Sequence, residues 1–303
     1  MYDLKISDVS KKFGDVNALR DINLDVEENE LFGVIGPDGS GKTTLFRIAA
    51  TLLVQDTGKV KLSGLDNIKD YKKTREIIGY MPGRFSLYQD LTVEENLKFY
   101  ATVFGTTVKE NYDIIKDVYL HLEPFKKRRA GKLSGGMKQK LALCCALVHK
   151  PKFLILDEPT TGVDPVSRNE FWEILRNLKS IGMTVIVSTP YMDEAKLCDR
   201  VTLMQNGCIL SVQTPAEIIE GFGKKIFSIR TDALIDTLKF LNEYKYTDNV
   251  FLYGDVIHYI DIRKEIKVDI LTQYLRSNEL INITIKEIEP SVEDCFLTLM
   301  REK

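Results

Sequence analysis

The chain has 303 residues, of which 44% are hydrophobic and 28% charged, with a formal net charge of −2. This length and balance favour a globular protein of about two domains, and the near-neutral charge argues against nucleic acid as a partner. No apolar run approaches the roughly 20 residues that span a bilayer, and no signal-peptide pattern stands at the N-terminus, so neither a membrane-spanning nor a secreted chain is expected.

Strand and helix patterns alternate through the first 220 or so residues, with a mainly helical stretch from about 70 to 150. The predicted strands cover 4–9, 19–26, 30–35, 59–62, 153–156, 184–187, 200–205 and 209–212. The predicted helices cover 44–53, 91–104, 112–122, 136–149, 165–181 and 192–197. This alternation around a glycine-rich loop predicts an α/β layer with parallel strands.

The pattern of predicted strands and helices changes near residue 223, where the boundary between two domains is predicted. Beyond it, strands are predicted over 225–230, 249–253, 256–262 and 282–288, and helices over 233–244 and 267–275. The order βαββαβ is typical of a small ferredoxin-like α+β domain. A last helix is predicted to begin at Ser291, with Asp294 placed for a capping box.

A glycine-rich segment follows the apolar strand 30–35 and directly precedes a helix. Gly36-Pro37-Asp38-Gly39-Ser40-Gly41-Lys42-Thr43 matches the phosphate-loop pattern G-x-x-x-x-G-K-[ST], and Thr44 continues it. Glycines let backbone N–H groups point at phosphates, and the helix N-terminus adds positive potential. Lys42 is therefore predicted to reach the terminal phosphates, and the Thr43 hydroxyl to reach Mg²⁺.

Two carboxylates stand together where the strand 153–156 ends. Adjacent anions such as Asp157 and Glu158 repel each other unless a cation and a reaction use them. Asp157 is predicted to hold Mg²⁺ through water, and Glu158 to polarise an attacking water. A strand that merely ends in a capping aspartate is the plainer interpretation, but a phosphate loop needs such a partner.

A second glycine-rich helix start, Leu133-Ser134-Gly135-Gly136-Met137, is also predicted to bind an anion. It lies about a hundred residues from the phosphate loop, which is hard to explain with a single nucleotide pocket.

Together these motifs resemble the ATP-binding subunit of an ABC transporter over about residues 1–220. The phosphate loop, LSGGM, FLILDEP and Gly162-Val163-Asp164 occur in that family's order, and the C-terminal segment PSVEDCFLTLM resembles drug- and polysaccharide-exporter ATPases. The resemblance implies a P-loop NTPase domain over 1–222 with a helical insert over about 84–150. It also implies a ferredoxin-like accessory domain over 224–303.

The resemblance implies an ATPase that uses ATP and Mg²⁺, with Lys42 and Glu158 as catalytic residues and Thr43 and Asp157 as metal ligands. Phe13 matches the aromatic residue that stacks on adenine, and Val16 is assigned to the same site. The other residues assigned to nucleotide binding are Gly36, Pro37, Asp38, Gly39, Ser40, Gly41, Thr43, Thr44, Ser134, Gly135, Gly136 and Asp164.

The same resemblance implies partners. Two ATP-binding domains face each other head to tail, so Ser134 and Gly136 would reach the ATP held by the partner's phosphate loop. The partner is a second copy or a different chain, and integral membrane transporter subunits complete the assembly. The expected location is cytoplasmic, at the inner face of the cell membrane. Five cysteines without a C-x-x-C pair also favour a cytosolic protein.

Two positions depart from the family pattern. Pro190 stands where the family has a histidine that bonds the terminal phosphate, and proline offers no donor. Gly83 stands where the family has a glutamine that touches Mg²⁺ and the attacking water. The remaining histidines (His121, His149 and His258) and Gln89 lie too far along the sequence to replace them.

These departures leave two interpretations of the chain's own site. Either ATP binds well and is hydrolysed slowly, or Glu158 suffices and the replacements are tolerated. The first favours pairing with a different, competent ATPase chain. An exporter ATPase is the leading hypothesis, and a regulatory ATP-binding module with little hydrolysis is the alternative. A ribosome- or DNA-associated ABC protein fits less well, because such chains usually carry two ATP-binding halves or a long coiled-coil insert.

Overall fold

The computed structural model describes residues 2–263 and 266–301. Its contacts divide the chain into two compact units, Met1–Thr214 and Pro215–Lys303. Within the described residues, no helix is both long enough and apolar enough to cross a bilayer.

The first unit contains ten strands and six helices among the described residues. They are β1 (Tyr2–Phe13), β2 (Val16–Glu27), β3 (Leu31–Ile35), α1 (Lys42–Ala49), β4 (Thr57–Leu62), β5 (Leu65–Asp66), α2 (Tyr71–Ile77), β6 (Ile78–Met81), α3 (Val93–Val103), α4 (Tyr112–Tyr119), α5 (Gly135–Leu147), β7 (Phe153–Asp157), α6 (Pro165–Ser180), β8 (Thr184–Thr189), β9 (Arg200–Gln205) and β10 (Cys208–Gln213). Short 3-10 helices cover Glu123–Phe125, Ala130–Lys132 and Met192–Leu197.

A six-stranded sheet in the order β10-β9-β3-β8-β7-β6 forms the centre of this unit. Its strands run parallel except for β10. Every residue of β3, β7 and β8 is buried, as expected for parallel strands covered on both faces. The carboxyl ends of these three strands lie side by side, because Ile35 pairs with Thr189 and Asp157 pairs with Ser188. The predicted parallel α/β layer is confirmed.

A second, antiparallel sheet has the order β2-β1-β4-β5. Its inward residues share one apolar cluster with α1 and with the central sheet, including Ile6, Phe46 and Phe153. This cluster fixes the helix that follows the phosphate loop between neighbouring strands.

The helical insert lies between β6 and β7 and contains α3, α4 and α5. Thr92 and Glu95 form a reciprocal capping box at the start of α3. The Ser134 side chain caps α5 and the Asp164 side chain caps α6, so the sequence starts both helices where the predicted site residues stand.

The second unit contains α7 (Pro215–Phe222), β11 (Ile226–Arg230), α8 (Leu234–Glu243), β12 (Thr247–Tyr253), β13 (Val256–Asp261), α9 (Val268–Ser277), β14 (Thr284–Ile288) and α10 (Val292–Arg301). Its antiparallel sheet has the order β12-β13-β11-β14. The βαββαβ order predicted for 225–288 is the order observed. The Ser291 hydroxyl and Asp294 carboxylate form the expected reciprocal cap at the start of α10.

Several elements differ from the sequence-based expectation. β6 lies in the stretch that was expected to be mainly helical, and α7 was not predicted. The helix predicted over 44–53 ends at Ala49, because Thr51 adopts a left-handed φ of 60°. The contacts place α7 with the second unit, eight residues before the predicted boundary, because Phe222 packs against the buried side chains of Ile226, Phe251 and Ile260.

Candidate functional site

The phosphate loop connects β3 to α1 and follows a path that requires glycine at two points. A Cβ atom on Gly36 would lie 2.2 Å from the carbonyl oxygen of Met204. Gly41 has a φ of 106°, and a Cβ there would lie 2.5 Å from the carbonyl oxygen of Ala18. Any other residue would displace the loop from the neighbouring strands.

Lys42 begins α1 and turns its ammonium group back into this loop. Its side chain is only 3% exposed. The Nζ atom donates hydrogen bonds to the carbonyl oxygens of Gly36 (2.8 Å) and Pro37 (3.1 Å). It also lies 3.2 Å from Glu158 Oε1. The loop therefore holds a buried positive charge whose counterion is the carboxylate at the end of β7.

Asp157 and Glu158 are fixed by the neighbouring strand β8. The Ser188 hydroxyl donates to Asp157 Oδ1 at 2.8 Å and accepts from the Glu158 N–H at 2.9 Å. Glu158 adopts a left-handed φ of 49°, an unusual conformation for a non-glycine residue and one that occurs at functional sites. Sequence reasoning missed Ser188, because its role depends on β8 lying beside β7.

Tyr80 on β6 lies close enough to Asp157 for the two groups to interact electrostatically. Burial raises the pKa of its phenol, and the negative charge of Asp157 raises it further. The phenol is therefore neutral at physiological pH, and it adds no third negative charge to this end of the sheet.

A cavity of about 520 Å³ opens over the phosphate loop. Eight of the predicted site residues line it: Val16, Gly39, Ser40, Gly41, Lys42, Thr43, Thr44 and Glu158. The predicted residues Phe13, Gly36, Pro37, Asp38 and Asp157 do not line this cavity. Phe13 pairs with Val16 across the β1–β2 hairpin, next to the cavity lining, and the residue is 48% exposed.

Five lining residues were not predicted: Asp15, Asn17, Ala18, Arg20 and Asn206. Asn206 belongs to the β9–β10 turn that the Asn-Gly pair predicted. The Gly207 N–H of that turn donates to the Ser40 carbonyl oxygen at 3.0 Å, which brings the turn to the phosphate loop. The turn itself could be predicted, but its position beside β3 could not.

The loop residues fit a phosphate chain with its Mg²⁺. A cradle that excludes Cβ atoms, a buried ammonium group, the Thr43 hydroxyl and the nearby Asp157 carboxylate supply donors, positive charge and oxygen ligands. Oxygen ligands of this kind are those that Mg²⁺ prefers.

The second predicted anion site forms a separate group at the starts of α5 and α6. The Asp164 carboxylate accepts a hydrogen bond from the Ser167 N–H at 3.0 Å, which lowers the pKa of Asp164. A Cβ atom on Gly136 would lie 2.8 Å from Ser167 Oγ. Ser134 and Gly135 are exposed. The structure thus brings Ser134, Gly135, Gly136 and Asp164 together, and none of them lines the cavity.

Pro190 and Gly83 both border the phosphate site. Pro190 directly follows Thr189, whose carbonyl oxygen accepts a hydrogen bond from the Gly36 N–H at 3.3 Å. A Cβ atom at position 83 would lie 3.1 Å from the Asp157 carbonyl oxygen and 3.7 Å from Glu158 Cβ. Position 83 therefore lies beside the two carboxylates, and position 190 directly follows a residue that is bonded to the start of the phosphate loop.

Among the described residues, no histidine lines the cavity in place of the family histidine, and Gln89 does not line it in place of the family glutamine. His149 lies 2.9 Å from the Ile78 carbonyl oxygen and stacks on Phe104, and His258 is bonded to Asp294. His121 is exposed and does not line the cavity. The Gln89 carbonyl oxygen accepts from the Gly131 N–H, and its side chain does not line the cavity either.

Known proteins share this sequence and architecture. The ABC transporter family matches residues 19–161. A probable multidrug ABC transporter ATP-binding protein, YbhF of Escherichia coli, is 37% identical over 305 residues, which cover 98% of this chain. The chain spans about half of that relative's length (52%). The Nod factor export ATP-binding protein I of Rhizobium etli is 31% identical over 98% of this chain and 92% of its own length.

Solved structures share much of this architecture. The dimeric ATP-binding cassette MJ0796, determined in a post-hydrolysis state with ADP and Pi, aligns with a TM-score of 0.63 at 26% identity. That alignment covers 70% of this chain and 98% of the cassette.

Proposed function

This chain belongs to the ATPase family of ABC transporter ATP-binding proteins, and we propose that it powers an exporter-type transporter by binding and hydrolysing Mg·ATP. The observation that carries this proposal is the pairing of Lys42 with Glu158 across the phosphate-loop cavity, 3.2 Å apart. Lys42 supplies a cation for the terminal phosphates, and Glu158, in direct contact with it, supplies a carboxylate for the attacking water.

The chain's own residues divide the work at this site. The N–H groups of the loop and the Lys42 ammonium bind the β- and γ-phosphates. Glu158, released from Lys42 when phosphate takes its place, orients and polarises the water that attacks the γ-phosphorus. Thr43 and Asp157 would hold Mg²⁺, which would supply neutralisation of the charge on the phosphate oxygens.

A second ATP-binding domain completes the site. Ser134 and Gly135 are exposed, and the group they form with Gly136 and Asp164 is separate from the chain's own cavity. These residues are suited to bind the terminal phosphate held by a facing partner chain. The dimeric form of the MJ0796 cassette supports this arrangement.

An apolar groove of about 350 Å³ supports docking to a membrane subunit. It lies within the first unit, between the end of β6 and the helical insert, and is lined by Met81, Leu87, Val103 and Phe104 among others. Leu52 and Val103 at its rim are more than half exposed. We propose that a short helix of the membrane subunit fills this groove, which would hold the chain at the inner face of the membrane.

We further propose that the chain's own site hydrolyses ATP slowly. Pro190 and Gly83 border the reaction centre without a side-chain donor, and loss of one preorganised contact costs about 10²–10³ in rate. A partner that carries both donors would use this chain's Ser134 and Gly136 to form a competent site. The alternative, a regulatory module that closes on ATP with little hydrolysis, rests on the same two positions.

The test of the proposed function compares the native chain with Lys42→Ala for ATP binding and turnover. Lys42→Ala should lose most fluorescent-ATP binding and whatever slow turnover the native chain has, whereas Lys59→Ala, which replaces an exposed lysine on β4, should change neither. Equal ATP binding by the native chain and Lys42→Ala would contradict the proposal.

A further inference from the structure

Glu194 is a buried carboxylate near the nucleotide site that the proposed chemistry leaves without a role. It lies in the 3-10 helix Met192–Leu197, just beyond Pro190, and its side chain is only 1% exposed. A buried carboxylate is costly unless it is paired and hydrogen-bonded, so its partners indicate what it does.

Each oxygen of Glu194 faces a different part of one segment. Oε2 accepts a hydrogen bond from the Thr160 hydroxyl at 3.2 Å. Oε1 lies 3.6 Å from Arg168 Nε. Neither Oε1 nor Nε has a hydrogen-bond partner among the described residues. The Arg168 guanidinium also lies over the ring of Tyr191, 4.1 Å from its centroid.

The segment between these partners carries the residues assigned to both nucleotide sites. Thr160 stands two residues after Glu158, and Thr160 is itself 1% exposed. Arg168 lies in the first turn of α6, where its N–H donates to the Asp164 carbonyl oxygen at 2.9 Å. One carboxylate therefore faces both ends of the segment 160–168, which follows Glu158 and includes the Asp164 cap: it is hydrogen-bonded to Thr160 and lies 3.6 Å from Arg168 Nε.

We propose that Glu194 is a positioning residue for this segment, acting through Thr160 and Arg168; the proposal rests on the proposed function above. It ties Glu158 and Asp164 to the residues after Pro190, so that the chain's own site and its partner-facing surface move as one unit. Pro190 itself has no side-chain donor that could make this connection. The contacts between the segment 160–168 and the residues after Pro190 are instead made by Arg168, Tyr191 and Glu194.

On this proposal, the contact between Glu194 and Arg168, which is not yet a hydrogen bond, is the part of the unit that changes between two arrangements. An ion pair at 3.6 Å becomes a hydrogen bond after a movement of less than about 1 Å. Closure of the first turn of α6 toward the 3-10 helix would make that bond and stabilise the closed form. Ligand occupancy at the phosphate loop and the surface offered to the partner are coupled in this way.

The experiment compares Glu194→Gln with Arg176→Ala, an exposed arginine two turns further along α6 that serves as the matched control. Hydrogen exchange of the nucleotide-free chain is measured first, because it does not depend on ATP. Glu194→Gln should speed exchange in peptides that cover 160–168, and Arg176→Ala should not. Unchanged exchange in those peptides would overturn the proposal whatever the chain does with ATP.

Turnover then separates positioning from simple loss of structure. Because native turnover is proposed to be slow, this comparison is made in chains that also carry Pro190→His and Gly83→Gln. There Glu194→Gln should lower kcat by about 10- to 100-fold, because misplacement by about 1 Å has a cost of that size, while KM and the fluorescent-ATP Kd stay within about twofold. Arg168→Lys, which keeps the charge, should retain more turnover than Arg168→Ala. A raised Kd with unchanged kcat, or an equal loss in Arg176→Ala, would overturn the assignment. Failure of the native chain to bind ATP would instead contradict the proposed function.

Discussion

Lys42 Nζ lies 3.2 Å from Glu158 Oε1, so the two catalytic candidates neutralise each other in the nucleotide-free chain. The lysine side chain is 3% exposed and the glutamate side chain 22%. In the proposed mechanism, a nucleotide that enters the cavity takes Lys42 from Glu158 and so frees the carboxylate to act on water. On this proposal, nucleotide binding and activation of Glu158 are the same event.

This relationship predicts that Glu158→Gln binds ATP more tightly than the native chain. The amide removes both the competing ion pair and the repulsion between carboxylate and phosphate. The Kd of fluorescent ATP should fall about fivefold, which corresponds to about 1 kcal/mol. Glu173→Gln on the exposed face of α6 is the control and should leave the Kd unchanged. Weaker binding by Glu158→Gln would show that the pair does not compete with phosphate.

Gly136 and Gly135 should differ sharply when each is replaced by alanine. A Cβ at Gly136 meets Ser167 Oγ at 2.8 Å and Ser167 Cβ at 2.9 Å, whereas at Gly135 the only close atom is the Gly162 carbonyl oxygen at 3.3 Å. Gly136→Ala should push the start of α5 from α6 at a cost of about 1–3 kcal/mol. Dimerisation with ATP is measured by analytical ultracentrifugation in chains that also carry Glu158→Gln. Gly136→Ala should raise the protein concentration at half-dimerisation tenfold or more. Equal midpoints for the two variants would contradict the proposed role of this surface.

His149 should make the chain less stable in mild acid. Its burial lowers the pKa of the imidazole below the ordinary value of about 6.5, despite its contact with the Ile78 carbonyl oxygen. The unfolded chain therefore binds more protons as pH falls below about 6.5, and stability present above that pH is lost, with a slope no steeper than about 1.4 kcal/mol per pH unit.

His149→Phe removes this titration while an aromatic ring remains to stack on Phe104. The unfolding free energy, measured in urea at pH 7.5 and 5.5, should drop less for His149→Phe than for the native chain. The same change at exposed His121 is the control and should leave the native drop intact. An equal drop in His149→Phe would mean that this imidazole is not held neutral.

We propose that α7 belongs to the C-terminal domain, so that the fragment 215–303 should be more stable than 224–303. The shorter fragment lacks Phe222, which packs on Ile226, Phe251 and Ile260. Partial burial of a phenylalanine contributes about 1–2 kcal/mol, and urea unfolding should show a difference of that size. Phe222→Ala in the longer fragment should lose about the same amount. Equal stability of the two fragments would favour a boundary near 223.

Local patterns were sufficient to predict much of the site. The phosphate loop is recognised from the contiguous residues that follow β3. The two carboxylates are recognised because they stand at the end of the buried strand 153–157. The parallel order of β3, β8 and β7 then brings Lys42 and Glu158 to the same edge. The α/β layer and the order of the C-terminal elements could also be predicted, because each strand or helix shows its own hydrophobic periodicity.

Other features depend on tertiary neighbours and could not be read from local patterns. The four-residue strand β6 forms because Ile78 to Met81 pair with β7, and such a short apolar run has no distinguishing period. Asn206 reaches the cavity only because β9 lies beside β3. Ser188 and Glu194 act on residues about thirty positions away, so neither shows a motif in the sequence.

The most direct test of the account is steady-state Mg·ATP hydrolysis by the native chain, by Glu158→Gln as the blank, and by the double replacement Pro190→His, Gly83→Gln. Because a Cβ at position 83 lies 3.1 Å from the Asp157 carbonyl oxygen, Pro190→His alone is included to separate strain from chemistry. A slow site predicts native turnover close to the blank and turnover raised by about 10²-fold or more in the double replacement. Native turnover far above the blank, unchanged by the replacements, would contradict a slow site and with it the need for a different, competent partner chain.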